Sequence, residues 1–220
     1  MTWADSYQQP GLVWGEKPDL LLTELLSQLP PGRILDLGMG EGRNGLYFAQ
    51  HGFNVQGIDQ VPAAVATCRE RAQVLTLPFR ADVGDIRNVA IEAESFSLII
   101  CAMSLQFMKL SESLALMKSI RRGLSPSGMV YITAFSTEDP GFARSKMTRP
   151  EVERNTYFFE LQNSNVHYFE KDELLTAFSD LKLHRFAQSI VLDGGHPGAL
   201  EPHYHGTLTY IGQKTSGSQE

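Results

Sequence analysis

The 220-residue chain carries 19 Lys plus Arg against 25 Asp plus Glu, a net charge of -6, and only two cysteines. That length supports one α/β domain with a full core, and an acidic balance without a basic block disfavours nucleic acid as a partner. Cys68 and Cys101 fall in helix and strand contexts, which excludes a disulfide framework or C-x-x-C metal site, and no apolar run of roughly 18 residues or signal-like leader occurs, so a cytoplasmic protein with no membrane partner is expected.

An aromatic leader with Trp3, Tyr7 and Trp14 precedes leucines at helical spacing, which predict a helix over 19–29 stopped by Pro30-Pro31-Gly32. A short buried strand over 33–37, a helix over 44–50 stopped at Gly52 and a strand over 53–58 then form a βαβ unit. The alternation continues with a helix over 62–72, strands over 77–81 and 97–101, a helix over 111–124 and a central strand over 129–135. A helix over 170–178 follows. The last two strands, 182–192 and 207–212, have no helix between them and should pair as an antiparallel hairpin. These elements predict an α/β, doubly wound, mostly parallel sheet in one domain over 1–213: leader and first helix to 31, a cofactor-binding core over 32–135, then a substrate-side insertion and hairpin. The polar tail 214–220 reads as disordered.

The stretch "ILDLGMGEGRNG" fits two glycine patterns. Gly40, Gly42 and Gly45 spell the dinucleotide G-x-G-x-x-G, while Asp36, Gly38, Gly40 and Gly42 spell D-x-G-x-G-x-G, which suits S-adenosylmethionine. Charge favours the second, because Asp36 and Glu41 repel a pyrophosphate but attract an ammonium and a sulfonium. Asp59, at the end of the second strand, can accept from ribose hydroxyls of either cofactor. In "RADVGDI", the Asp82 carboxylate and the Val83 amide are placed to meet adenine, with a helix cap as the alternative role for Asp82.

With "ILDLGMGEGRN", "GID", "RAD", "FSLIICAMSL" and "LSPSGMVYITAF" in that order over residues 32–135, the sequence resembles the class I S-adenosylmethionine-dependent methyltransferases. The resemblance implies a seven-stranded sheet with a C-terminal antiparallel hairpin, S-adenosylmethionine as cofactor and S-adenosylhomocysteine as product. It completes the cofactor set with Asn44, Gln60 and Cys101. The G-R-N after the glycine loop looks most like the tellurite-resistance type and related small-molecule enzymes, which implies a small acceptor, an oxyanion or chalcogen compound among the options, and a monomer or homodimer. Met39 stands where that family often has cysteine.

The resemblance assigns the acceptor wall to roughly 3–18, 102–108 and 136–168. "CAMSLQFM" lacks the Asn/Asp-Pro-Pro-aromatic turn of base and glutamine N-methyltransferases. The leader aromatics either form a lid over the cleft or cover the sheet edge. In "DGGHPGALEPHYHG", His196, His203 and His205 are read as substrate-binding or acid/base residues, ahead of structural hydrogen bonding and of a metal, and no metal is expected. Arg144, Arg149, Arg154 and the histidines are available as positive charge for an anionic acceptor, although each arginine taken alone reads better as a solvated surface residue. A nicotinamide-dependent oxidoreductase and a non-catalytic adenosyl-binding module remain the alternatives.

Overall fold

The computed structural model describes residues 2–196 and 199–217. In chain order the elements are α1 (Trp3–Ser6), α2 (Leu20–Thr23), β1 (Arg33–Leu37), α3 (Arg43–Gln50), β2 (Asn54–Asp59), α4 (Pro62–Val74), β3 (Phe79–Val83), β4 (Phe96–Ala102), α5 (Leu110–Gly123) and β5 (Leu124–Phe135). There follow α6 (Pro140–Thr148), β6 (Glu151–Glu153), β7 (Thr156–Phe159), β8 (Ser164–His167), α7 (Lys171–Ala177), β9 (Lys182–Asp193) and β10 (His203–Gln213). Seven strands form one sheet in the order β3-β2-β1-β4-β5-β10-β9, parallel from β3 to β5, with β10 antiparallel to both its neighbours.

Strands covered on both faces read as continuous apolar runs, because successive side chains point to opposite sides and both sides need burial. Ile34, Leu98 and Ile100 pack with Phe48 and Leu22 on one face. Their chain neighbours Leu35, Ile99 and Cys101 pack with Met117, Ile120 and Phe178 on the other. The strand order reverses between β1 and β4, which opens a crevice beyond the C-terminal ends of the parallel strands.

The expected helix over 19–29 is broken into α2 and a 3-10 turn at Leu26–Gln28. Leu29 is extended, as a residue before proline prefers, and the leucines bury against the sheet without a continuous helix. The expected insertion is itself a folded unit: β6, β7 and β8 make an antiparallel sheet whose Tyr157 and Val166 pack with Phe107 and Phe135. The tail expectation needs correction too. The Lys214 amide donates to Gly128 O at 2.9 Å, its ammonium reaches Glu94, and Ser216 bonds Ser127, so order runs past Gln213, while 218–220 lie outside the described residues. No described helix is long and apolar enough to cross a membrane.

Candidate active site

Over the switch point lies one cleft of about 1180 Å³, running from Asp59, Gln60 and Gly84–Arg87, past the glycine loop and Met103–Met108, to the β9–β10 hairpin. Its first end is built by the turn after β1. Gly38 and Gly40 sit at φ +69° and +55°, the left-handed region where a side chain is strained. The space their missing Cβ atoms leave is used by Ser104 Oγ and the Tyr7 hydroxyl.

Three carboxylates surround this turn. Asp36 is buried and accepts from the Gly45 amide at 3.0 Å, and burial pushes its pKa up to about 7. Asp59 accepts from Gly40 N and Val61 N, each at 2.9 Å, one on each oxygen, and burial raises its pKa too. An ionised carboxylate has about four lone-pair directions, so Asp59 retains about two for a ligand. Glu41, raised by burial, accepts from Val13 N at 2.8 Å and so ties the leader to the loop.

The leader lies across the cleft as a lid. Trp14 Nε1 donates to the Tyr7 hydroxyl at 3.0 Å, Trp3 meets Phe107 edge-on, and the Asn44 side chain accepts from Asp19 N at 2.9 Å. Trp3, Tyr7 and Trp14 all line the cavity.

Two further residues, to which sequence reasoning gave no role, line the cleft beyond the glycine loop. Gln106, fully buried in the turn after β4, lines the cleft with neither amide atom hydrogen-bonded. Asp139, 5% exposed, starts α6 by accepting from Gly141 N, and its other oxygen accepts from Gly206 N at 3.0 Å and from His205 Nδ1 at 2.9 Å. The Asp-Pro pair is a helix-start signal, but the contact to His205 spans 66 positions and leaves no local trace. His196, His203 and His205 come together here, and all three line the cleft.

The family model described as "Methyltransferase domain" matches residues 34–128. Over that stretch the chain is similar to the methyltransferase domain family, and its seven-stranded sheet has the class I methyltransferase fold. Carboxy-S-adenosyl-L-methionine synthase of Escherichia coli is 34% identical over 117 residues, 50% of this chain and 47% of that one. The chain spans about half the length of the curated relatives it matches. A Methanosarcina mazei structure described as a SAM-dependent methyltransferase has TM-score 0.73 at 17% identity, covering 91% of this chain and 100% of that one. TehB from Haemophilus influenzae has TM-score 0.70 at 17% identity, covering 97% and 66%.

The cofactor of this class is S-adenosylmethionine, and the residues at the glycine-loop end fit it. Asp36, Gly38, Gly40, Asn44, Asp59 and Gln60 line the cleft together. Burial raises the pKa of both carboxylates, and for Asp36, raised to about 7, a cationic ligand nearby favours the ionised form. Gly42 does not line the cleft. It is the left-handed residue before α3, packed against Cys68 and Leu46.

Two expectations for the cofactor end are corrected. Strand β3 runs two residues beyond 77–81, so Asp82 lies within it, pairs with Arg80 at 2.8 Å and accepts from Gln56 at 3.3 Å. Neither Asp82 nor Val83 lines the cleft, and Gly84, Asp85, Ile86 and Arg87 occupy that wall. Cys101 is wholly buried in the core cluster beneath α5, where burial pushes its thiol pKa up, while its neighbour Ala102 reaches the cleft. Arg149 and Arg154 also lie outside the cleft, stacked on Phe159 and paired with Glu170, whereas Arg144 lines it.

Proposed function

We propose that the protein transfers a methyl group from S-adenosylmethionine to a small acceptor held between Gln106 and the hairpin histidines. The observation that carries this reading is the single cleft joining a carboxylate-ringed glycine loop at one end to unsatisfied or convergent polar groups at the other. The cofactor supplies an electrophilic methyl on a sulfonium. The chain's own contribution is placement and exclusion of water. Asp59 holds the ribose hydroxyls, Asp36 faces the cationic part, and the leader aromatics close the cleft over both. Gln106 offers one donor group and one acceptor to the acceptor molecule. The likeness to TehB and the G-R-N segment favour a small oxyanion or chalcogen acceptor, with Arg144 as the cation lining the same cleft.

Thermal melts with adenosyl and nicotinamide ligands test the cofactor, since only a ligand of the native state raises the midpoint. S-Adenosylhomocysteine should raise it and NAD(H) should not. Asp59→Ala should weaken S-adenosylhomocysteine by about 1 to 3 kcal/mol in calorimetry on the folded variant. Stabilisation by NAD(H) alone would instead favour the oxidoreductase. Turnover on thiols, selenite and tellurite then distinguishes an enzyme from a binding module.

A further inference from the structure

We propose that Asp193, His196, His203 and His205 form a binding site for one divalent transition-metal ion at the acceptor end of the cleft. One donor atom from each of the four lies within 4.8 Å of all the others. The fold supplies this convergence. His203 and His205 alternate on β10 and so share a face, Asp193 is the cross-strand partner of His203, and paired backbone bonds between His196 and Ala199 at 3.0 and 2.9 Å hold the connection.

The hydrogen bonds around the two strand histidines fix which nitrogens are available. His205 Nδ1 faces Asp139 Oδ2 at 2.9 Å, and His203 Nδ1 faces the Glu201 carbonyl at 2.8 Å. Carboxylate and carbonyl oxygens only accept, so both Nδ1 atoms are donors and, in the neutral rings, both Nε2 atoms are lone pairs. Those two Nε2 atoms face each other at 3.0 Å. Two lone pairs at that distance repel unless a cation lies between them. Two imidazoles bound to one zinc at the usual lengths stand about 3 to 3.4 Å apart, which matches.

The surroundings are those of a metal centre. A carboxylate behind a ligating histidine fixes its tautomer and raises its basicity, and Asp139 holds that position. Asp193 uses Oδ1 to accept from Gly195 N at 2.7 Å, which orients the carboxylate with Oδ2 left over. Three imidazoles and one carboxylate suit zinc, nickel or ferrous iron, and the charges of Asp139 and Asp193 balance a divalent ion. All four residues are half-buried and His196, His203, His205 and Asp193 border the cleft, so an ion there faces the same space as Gln106. Its ligand class is an acceptor coordinating through an oxygen or sulfur anion; this ligand class rests on the proposed function, whereas metal binding itself does not.

The test uses the full, untagged chain, stripped with a chelator and titrated with cobalt(II), then zinc(II) in competition, with bound metal counted by elemental mass spectrometry. One equivalent should bind, with visible d–d bands from cobalt that zinc displaces. His203→Gln/His205→Gln should weaken binding by about 100-fold or more, and Asp139→Asn, which retains all four ligands, by about 10 to 100-fold. Melting and S-adenosylhomocysteine binding are measured on each variant, and Asp193→Asn/His196→Gln, at the end of β9 and in the connection, replaces the β10 pair if that pair does not fold. Well under one equivalent in the wild type, or full uptake by the ligand variants, overturns the site and leaves a shared proton between the two rings. Metal uptake without adenosyl binding would sink the proposed function and leave the metal site standing.

Discussion

At the glycine-loop end of the cleft, Asp36 and Asp59 bond amides 9, 19 and 2 positions away, so the recognition groups and the turn they hold arise from one short stretch of chain. At the hairpin end, Asp139 reaches His205 across 66 positions, and the leader, the insertion and both hairpin strands must all dock before the polar groups meet. The first arrangement is local and survives change elsewhere. The second exists only in the finished fold, which lets the chemistry presented to an acceptor differ while the cofactor end stays the same.

Substitution of the glycine turn tests the separation most severely. In Gly40→Val the added Cβ would stand 2.7 Å from the Tyr7 hydroxyl at a φ of +55°. S-Adenosylhomocysteine affinity should fall by about 5- to 30-fold or more, since that backbone region alone costs a side chain about 1 to 2 kcal/mol. Cobalt uptake at the hairpin should not change. Loss of both would mean that the two ends fold as one unit.

Asp36 tests the same end through stability, with an effect that depends on pH. Its folded pKa of about 7 lies above the ordinary 3.8, so between those values the folded state keeps a proton that the unfolded chain releases. Stability from this group therefore falls as pH rises from about 4 to about 7 and is level above. Asp36→Asn should melt higher than wild type at about pH 8, by up to about 4 kcal/mol, and equally at about pH 4, in ligand-free melts. The same variant should bind S-adenosylmethionine less well. A pH-independent difference would show that Asp36 is already ionised in the folded protein.

Gln106→Leu, in the turn after β4 between the two ends, gives the smallest change. Removing a buried amide that has no partner should stabilise the fold by about 1 to 2 kcal/mol, raise the KM of the true acceptor and leave adenosyl affinity nearly unchanged. A destabilised variant, or one whose only loss is in S-adenosylhomocysteine binding, would move Gln106 out of the acceptor wall.

What the sequence made legible follows the same division. The strands from Arg33 to Phe135 stood out because burial on both faces leaves uninterrupted apolar runs, and the acids of the glycine turn could be weighed by charge alone. Asp82 was misplaced by a two-residue error in the end of β3, and in a strand such an error moves a side chain out of the turn where it was expected. Cys101 failed for a related reason, since parity along β4 sends it to the core and Ala102 to the cleft. In the insertion, β6 has only three residues, two of them glutamates, and shows no alternation to read. The histidine trio was visible as composition, but Asp193 and Asp139 joined it only through register and long-range packing.

One carboxylate at Asp139 begins a helix, pins the Gly206 amide of β10 and sets the tautomer of His205. A genetic screen for loss of function would therefore recover this position as readily as any residue that touches the acceptor, and the phenotype alone would not say which of its three tasks had failed. Only suppressors would separate them: a second-site change that restores the helix start would rescue abundance and leave activity low.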